Sequence, residues 1–499
     1  MRARITLALA VAGAALGITA PAASAALSVA NNCTTPGGTT CWVAGVYNGD
    51  YTGMNDRNYL GAPAQQSGGH PFVGVTDFTV ATTGGVPDGV VSSIRVDVPP
   101  GLVSNPQATP KCTDAQLTTS SCPADTQLGI VKLAAYAGLP VPIYVGASVY
   151  NLPPESANCS GYASDYAFYV AALKERVNVC GNDHQQPPYN LYYVITVPPG
   201  AATISSTLIF WGVPGDTGHN AQRGWSCLSP GAPCTPPASG PSAPHGTAFL
   251  TNPTGCVPAG QVTTLTLGSS SGPPATATSG TPVPAIGCKS LRFSPKLKLA
   301  LTGRHQTAVG KHPTLTARLT QALGQANIAL SKVTLPLSMA LDPRNSEVVC
   351  SVSAAATDTC PANTIIGSAT ATTPLLSQPL SGKVYLVQGI RTTSTGQQIR
   401  TLPALLVALR GQTAIDLHAQ TSVSNNRLVT TFSTLPDLPV TAFTLTINGG
   451  KHGILVVTGN HSLCSRVQRA PILMIGKNGV PERHTLKITT PCTHSKHHG

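Results

Sequence analysis

Several groups of residues in this chain are of types that carry out chemistry. Gly268-Ser269-Ser270-Ser271-Gly272 spells G-x-S-x-G, the nucleophile-elbow pattern that exposes a serine on a tight strand-to-helix turn. Pro273-Pro274 follow in a Ser/Thr/Pro-rich run, so no helix is expected and the stretch reads as a loop. Asp183-His184, and Asp216 with His219, supply carboxylate and imidazole for acid/base or metal chemistry. Both pairs lie in Gly/Pro-rich stretches without metal-ligand spacing, and read as surface polar residues. His494, Lys496, His497 and His498 could hold a metal loosely, but read as a disordered basic end. Paired carboxylates, a triad and a metal site are not recognisable by spacing, and no cofactor is implied.

Two further groups suit binding. Twelve of the thirteen tyrosines precede residue 194, with Tyr189, Tyr192 and Tyr193 close together and Trp211 and Trp225 downstream. Exposed rings stack on sugars, and Asp165, Glu175 or Asp183 could bond hydroxyls; tyrosine also fills strand-rich cores, which is the reading favoured here. In Ser290–Gly303, Arg292, Lys296 and Lys298 share one face at period 2, and Phe293, Leu297, Leu299 and Leu301 share the other. The basic face is a candidate polyanion-binding ridge, with Lys311 and Arg318 as possible additions; a solvated strand face carrying lysine against aggregation is the simpler reading.

The elements that position these residues are announced by a repeated string. Residues 112–129 and 350–367 both read Cys, nine residues, Cys-Pro-Ala, Asx, Thr, any residue, Leu or Ile, Gly, 238 positions apart. Such a string does not arise twice by chance, so the chain is a duplication. Thr113 and Ser351 are placed to cap a short helical turn, and Pro123 and Pro361 to stop it. The expected pairs Cys112–Cys122 and Cys350–Cys360 would each contribute on the order of 2–3 kcal/mol by closing a small loop. The repeat extends to Cys256 and Cys464, each followed by another cysteine, giving Cys256–Cys288 and Cys464–Cys492. Cys33–Cys41, Cys159–Cys180 and Cys227–Cys234 complete seven sequential pairs.

Fourteen cysteines fit an oxidising compartment. Residues 1–25 read as a signal peptide, with Arg2 and Arg4 before an apolar run and Ala23-Ser24-Ala25 at the cleavage point. No later stretch has about 18 uninterrupted apolar residues, so no transmembrane span is expected. The mature protein is expected to be secreted, extracellular or associated with the cell surface. Alternating Val/Thr/Leu runs broken by Gly and Pro predict an all-β protein. The charge is uneven. Residues 26–288 carry 7 Lys/Arg against 12 Asp/Glu, and residues 289–499 carry 21 against 6. An acidic first half and a basic second half could attract each other, or the basic half could meet wall polymers or other polyanions. Specific nucleic-acid binding is not expected.

Phe249-Leu250-Thr251-Asn252-Pro253-Thr254, Ile286-Gly287-Cys288, Leu291-Arg292-Phe293-Ser294-Pro295 and the repeated cysteine string resemble a group of large secreted actinobacterial proteins. The resemblance covers most of residues 67–492. It implies export and a repeated β-architecture, and no catalytic residue.

The expected layout is a signal peptide (1–25), an N-terminal Gly-rich segment (26–66), a first β module with two cysteine-containing insertions (67–288), a second β module (289–492) and a basic tail (493–499). Both modules are expected to be homologous antiparallel β-sandwich-like units in tandem, stapled by disulfides. The leading function is a non-catalytic structural or binding protein, with cell-wall or other extracellular polymers as partners. The alternatives are a carbohydrate or cell-wall polymer binder using the aromatics, and an extracellular hydrolase whose site is assembled from distant loops.

Overall fold

The computed structural model describes residues 26–31, 41–51, 62–154, 157–170, 174–200, 202–235, 240–242 and 247–492. The expected signal peptide and the basic tail lie outside these residues.

The chain forms two large antiparallel sheets in tandem. The principal strands of the first are β1 (Trp42–Tyr47), β2 (Val73–Thr79), β3 (Val91–Asp97), β4 (Gln127–Tyr136), β5 (Ile143–Leu152), β6 (Ser164–Val170), β7 (Glu175–Asp183), β8 (Leu191–Thr196), β9 (Ala202–Trp211), β10 (Val262–Ser269) and β11 (Ala275–Gly280). Those of the second are β12 (Lys296–Thr302), β13 (Thr314–Thr320), β14 (Ile328–Thr334), β15 (Ile365–Thr372), β16 (Leu380–Val387), β17 (Ala404–Arg410), β18 (Ile415–Ser424), β19 (Arg427–Phe432), β20 (Ala442–Ile447), β21 (Arg469–Gly476) and β22 (Pro481–Lys487).

The spatial order of the first sheet is β1-β2-β9-β4-β5-β6-β7-β8-β3-β10-β11, and that of the second is β12-β13-β20-β15-β16-β17-β18-β19-β14-β21-β22. Each strand of the second sheet takes the place of the strand eleven numbers below it. The duplication read from the cysteine string therefore extends through every principal strand.

The first sheet begins inside residues 26–66. Trp42–Tyr47 pairs along its whole length with β2, and Leu27 and Val29 join the first core. The Gly-rich flanks hide this strand in the sequence, because WVAGVY is short and has no partner signal beside it. Ser226–Pro230, inside the second insertion, pairs with β5 as an additional strand where a loop was expected.

Each sheet curls until its ends meet. An odd number of antiparallel strands leaves the first and last running the same way, so closure is a parallel contact. In the second module the Leu301 amide donates to the Thr489 carbonyl at 2.8 Å, and the Thr489 amide donates to Leu299 at 2.9 Å. In the first, the Ala44 amide and carbonyl both lie 3.4 Å from the Ser279 hydroxyl. The inner faces enclose one core per module. Phe78, Tyr166, Phe210, Phe249 and Leu265 lie in the first; Leu299, Leu301, Val407, Ala419 and Met474 lie in the second.

The repeated cysteine element forms as its sequence predicts. Five-residue helices, Asp114–Thr118 and Val352–Ala356, start at Thr113 and Ser351, whose hydroxyls accept from the Gln116 and Ala354 amides at 3.2 Å. Six of the expected disulfides are present: Cys112–Cys122, Cys159–Cys180, Cys227–Cys234, Cys256–Cys288, Cys350–Cys360 and Cys464–Cys492. Cys41 is disulfide-bonded as well, and Cys33 lies outside the described residues. Gly129 and Gly367 each follow a register shift at the start of β4 and β15. A Cβ there would sit 1.9 Å from the carbonyl oxygen of Ile209 or Thr446. Only glycine lets the neighbouring strand approach so closely.

The modules dock through buried and part-buried hydrogen bonds. Asp416, 1% exposed, accepts from the Gln185 and Gln186 side chains at 2.7 and 2.6 Å and from Arg410 at 2.7 Å. The Tyr189 hydroxyl donates to the Asp416 carbonyl at 2.6 Å. A second clamp centres on Asp437, which accepts from the Thr254 hydroxyl at 2.6 Å and from Asn327 at 2.8 Å.

Candidate functional site

The basic ridge forms as its period predicts. Arg292, Lys296 and Lys298 are exposed, while Phe293, Leu297, Leu299 and Leu301 are buried on the opposite face. The register then adds a residue that spacing along one strand does not reveal: Lys298 of β12 lies directly opposite exposed Arg318 of β13. Like charges opposed across a sheet are destabilising. Further round the outer surface, β20, β15 and β16 add Thr444, Thr446, Ser368, Thr370 and Lys383, with Lys383 opposite Ser368. This face is basic and rich in hydroxyls. The ion pairs of the second module join His312 to Asp342 and Arg410 to Asp358 and Asp416. No described ion pair reaches the ridge, and none crosses between the modules.

The catalytic candidates are dispersed. Ser269 ends β10, and the chain turns directly into β11, so G-x-S-x-G sits in a β-hairpin with no helix after it. Asp216 caps a 3-10 turn, its carboxylate accepting from the Gly218 amide at 2.8 Å. His219 is buried, 4.1 Å from the Phe72 ring and 4.7 Å from that of Trp211, and neither of its ring nitrogens has a hydrogen-bond partner. Burial pushes its pKa down to about 3, outweighing the nearby Asp216 carboxylate, so it is a neutral packing disc at neutral pH. Asp183 is half-buried, and burial raises its carboxyl to about 6.

His184 turns away from Asp183 to Asp97, at 2.7 Å. Arg95 Nε and Nη2 hold the same carboxylate at 2.8 Å, and its guanidinium lies 4.0 Å over Tyr192. Burial opposes ionisation of Asp97, but the bonds from Arg95 and His184 prevail and lower its pKa. Both carboxylate oxygens are occupied, which makes this a cross-strand polar ladder. Sequence reasoning missed it because Arg95 and Asp97 lie almost ninety residues from His184. Among the described residues no group of His, Cys, Asp and Glu is placed to hold a metal.

The aromatics that suggested sugar stacking are mostly internal. Tyr189, Tyr193, Trp211 and Trp225 are buried, and Tyr189 serves the joint between modules. Asp165 is buried against Asn178 and Arg176. Glu175 is exposed, and Tyr192 is half-buried under Arg95.

Each module also holds an apolar cavity inside its rolled sheet, of about 120 Å³ in the first and about 170 Å³ in the second. Equivalent strands line both: β1, β2, β3, β8 and β9 in one, and β12, β13, β14, β19 and β20 in the other. Polar groups do not converge in either, as a hydrolytic site requires.

No family model and no curated protein matches the sequence. Among solved structures, similarity is found to the C-terminal domain of the AgI/II polypeptide BspA of Streptococcus agalactiae, at 8% identity, covering 87% of this chain and 98% of that one, with a TM-score of 0.19. A second structure of that domain gives the same values, and MtrC from Shewanella baltica OS185 gives 10% identity, 85% and 68% coverage and a TM-score of 0.11. No helix among the described residues is long and apolar enough to cross a membrane.

Proposed function

We propose that this is a non-catalytic extracellular protein, structural and binding in role, whose second module meets anionic extracellular polymers through the outer face of β12 and β13. One observation carries the reading: Lys298 is held opposite Arg318 on an exposed face, and no described carboxylate pairs with either. An anionic chain lying across both strands would relieve that repulsion. The charge asymmetry between the halves supports it further, because the modules dock by hydrogen bonds and leave the ridge outside the joint. Export is supported by the signal-peptide pattern of residues 1–25, the cysteine content and the resemblance to large secreted actinobacterial proteins.

The full-length chain is expected to be retained on a heparin or teichoic-acid column at low salt and released as salt rises. Lys296→Glu with Lys298→Glu should weaken retention. A chain that passes through unretained at low salt ends the proposal.

A further inference from the structure

The geometry points to a hydrocarbon-binding site inside the second module: its cavity takes the alkyl chain of a single-chain anionic amphiphile, such as a fatty acid. This inference does not depend on polymer binding by the outer face.

Comparison of the two modules carries it. Gly129 and Gly367 follow the same register shift and meet the same carbonyl contact, so they fix the alignment. Phe210 lies opposite Gly129, and Ile447 lies opposite Gly367. The same ladders place Tyr166 with Leu405 and Tyr193 with Thr430. Phe249 and Ile454 each immediately precede the matching short strands Leu250–Thr251 and Leu455–Val457.

In the first module these four aromatics form one cluster. Tyr166, Phe210 and Phe249 have ring centroids 5.4 Å apart in every pairing, and Tyr193 lies 5.6 Å from Phe210. In the second module all four positions carry smaller side chains, Leu405, Thr430, Ile447 and Ile454, and all four line the cavity. Tyr193 and Phe210 line the equivalent cavity of the first module and leave it about 120 Å³, while the smaller side chains widen it to about 170 Å³ in the second. An apolar cavity of roughly 150 Å³ is enough to hold benzene, so about 170 Å³ admits a folded or threaded alkyl segment.

The cavity is also open to solvent. Leu315, Leu319, Val333, Phe432 and Leu445 point into it and are only partly buried. Well-packed cores do not leave so many inward leucine and phenylalanine side chains wetted. The walls are opposing parts of the inner face of one rolled sheet, so the occupant must be narrow; a second protein cannot enter. Aliphatic walls select hydrocarbon. The Ser331 and Thr430 hydroxyls also line the space and offer hydrogen bonds to a head group. The strong excess of Lys/Arg in the second half favours a negatively charged one.

The test uses the full-length chain and saturated fatty acids from C8 to C18, followed by displacement of dansyl-undecanoic acid. We expect one saturable site per chain, with affinity rising about fourfold per added methylene until the cavity is filled. Ile447→Phe with Ile454→Phe restores two of the rings of the first module and should lower affinity at least tenfold with no fall in Tm. Thr430→Tyr does the same at a third position and serves if the double variant does not fold. Dodecyltrimethylammonium should bind more weakly than laurate. The proposal is overturned by the absence of saturable binding, by binding unchanged in these variants, or by an equal preference for the cationic chain. Retention on heparin is read separately and should not change in the cavity variants.

Discussion

Two titratable groups, His219 buried and Asp183 half-buried, show how single residues trade charge for packing. His219 is held near pKa 3 against 6.5 in an unfolded chain, because burial in the ring stack disfavours the imidazolium. The unfolded state therefore binds more protons, so stability is complete above pH 6.5 and declines as pH falls towards 3. His219→Phe keeps the stack and removes the titration; its Tm should fall less between pH 7 and pH 4 than that of the native chain, and an equal fall would contradict the assignment. Asp183 is the opposite case. Burial raises its carboxyl to about 6 from 3.8, so the charged form costs stability as pH rises through that window. Asp183→Asn should add about 1–2 kcal/mol at pH 8, after allowance for its partial exposure, and nothing at pH 3, read from urea unfolding at both pH values. Neither behaviour was legible in the sequence. Asp183-His184 and Asp216/His219 read there as surface polar residues, and only the fold shows that His219 is buried among rings and that His184 turns to Asp97.

At the scale of elements, the cysteine string was the most legible part of the chain. Its helical turn, cap residues and disulfide follow from local chemistry, which a sequence displays; the expected proline stop does not, because the helices end at Thr118 and Ala356 and Pro123 and Pro361 instead open a 3-10 turn. Gly129 and Gly367 belong to the same string but act through a distant strand. Gly129→Ala or Gly367→Ala would drive a methyl into the Ile209 or Thr446 carbonyl, costing about 3 kcal/mol in either module. The two losses should be alike, because the contacts are equivalent; thermal unfolding of each single variant checks this. The edge strand Trp42–Tyr47 and the extra strand Ser226–Pro230 were not legible, since a short run beside glycines becomes a strand only when a neighbour supplies its hydrogen bonds. The basic ridge was half legible: period 2 exposes Arg292, Lys296 and Lys298, but Arg318 joins them only through the register between strands.

For the whole molecule, duplication produced two modules with one topology and different surfaces and interiors. Their joint turns on Asp416 and Asp437, single acids between apolar neighbours that no motif in the sequence marks. Asp416→Ala would leave Arg410, Gln185 and Gln186 without their shared acceptor. Removing one buried charged partner costs roughly 3–5 kcal/mol, so calorimetry should resolve two transitions where the native chain shows one. A single transition at unchanged temperature would show that the clamp does not couple the modules. The reading of the outer face has a sharper test, which is the affinity of the full-length chain for heparin measured across a range of salt concentrations. Lys298→Glu with Arg318→Glu should lower affinity at least tenfold at low salt and make log K less steep against log salt, while Arg400→Glu, a charge reversal of an exposed residue off the ridge, should have little effect. Equal losses from both changes would mean that net charge alone attracts the polymer, and would contradict a binding face on β12 and β13.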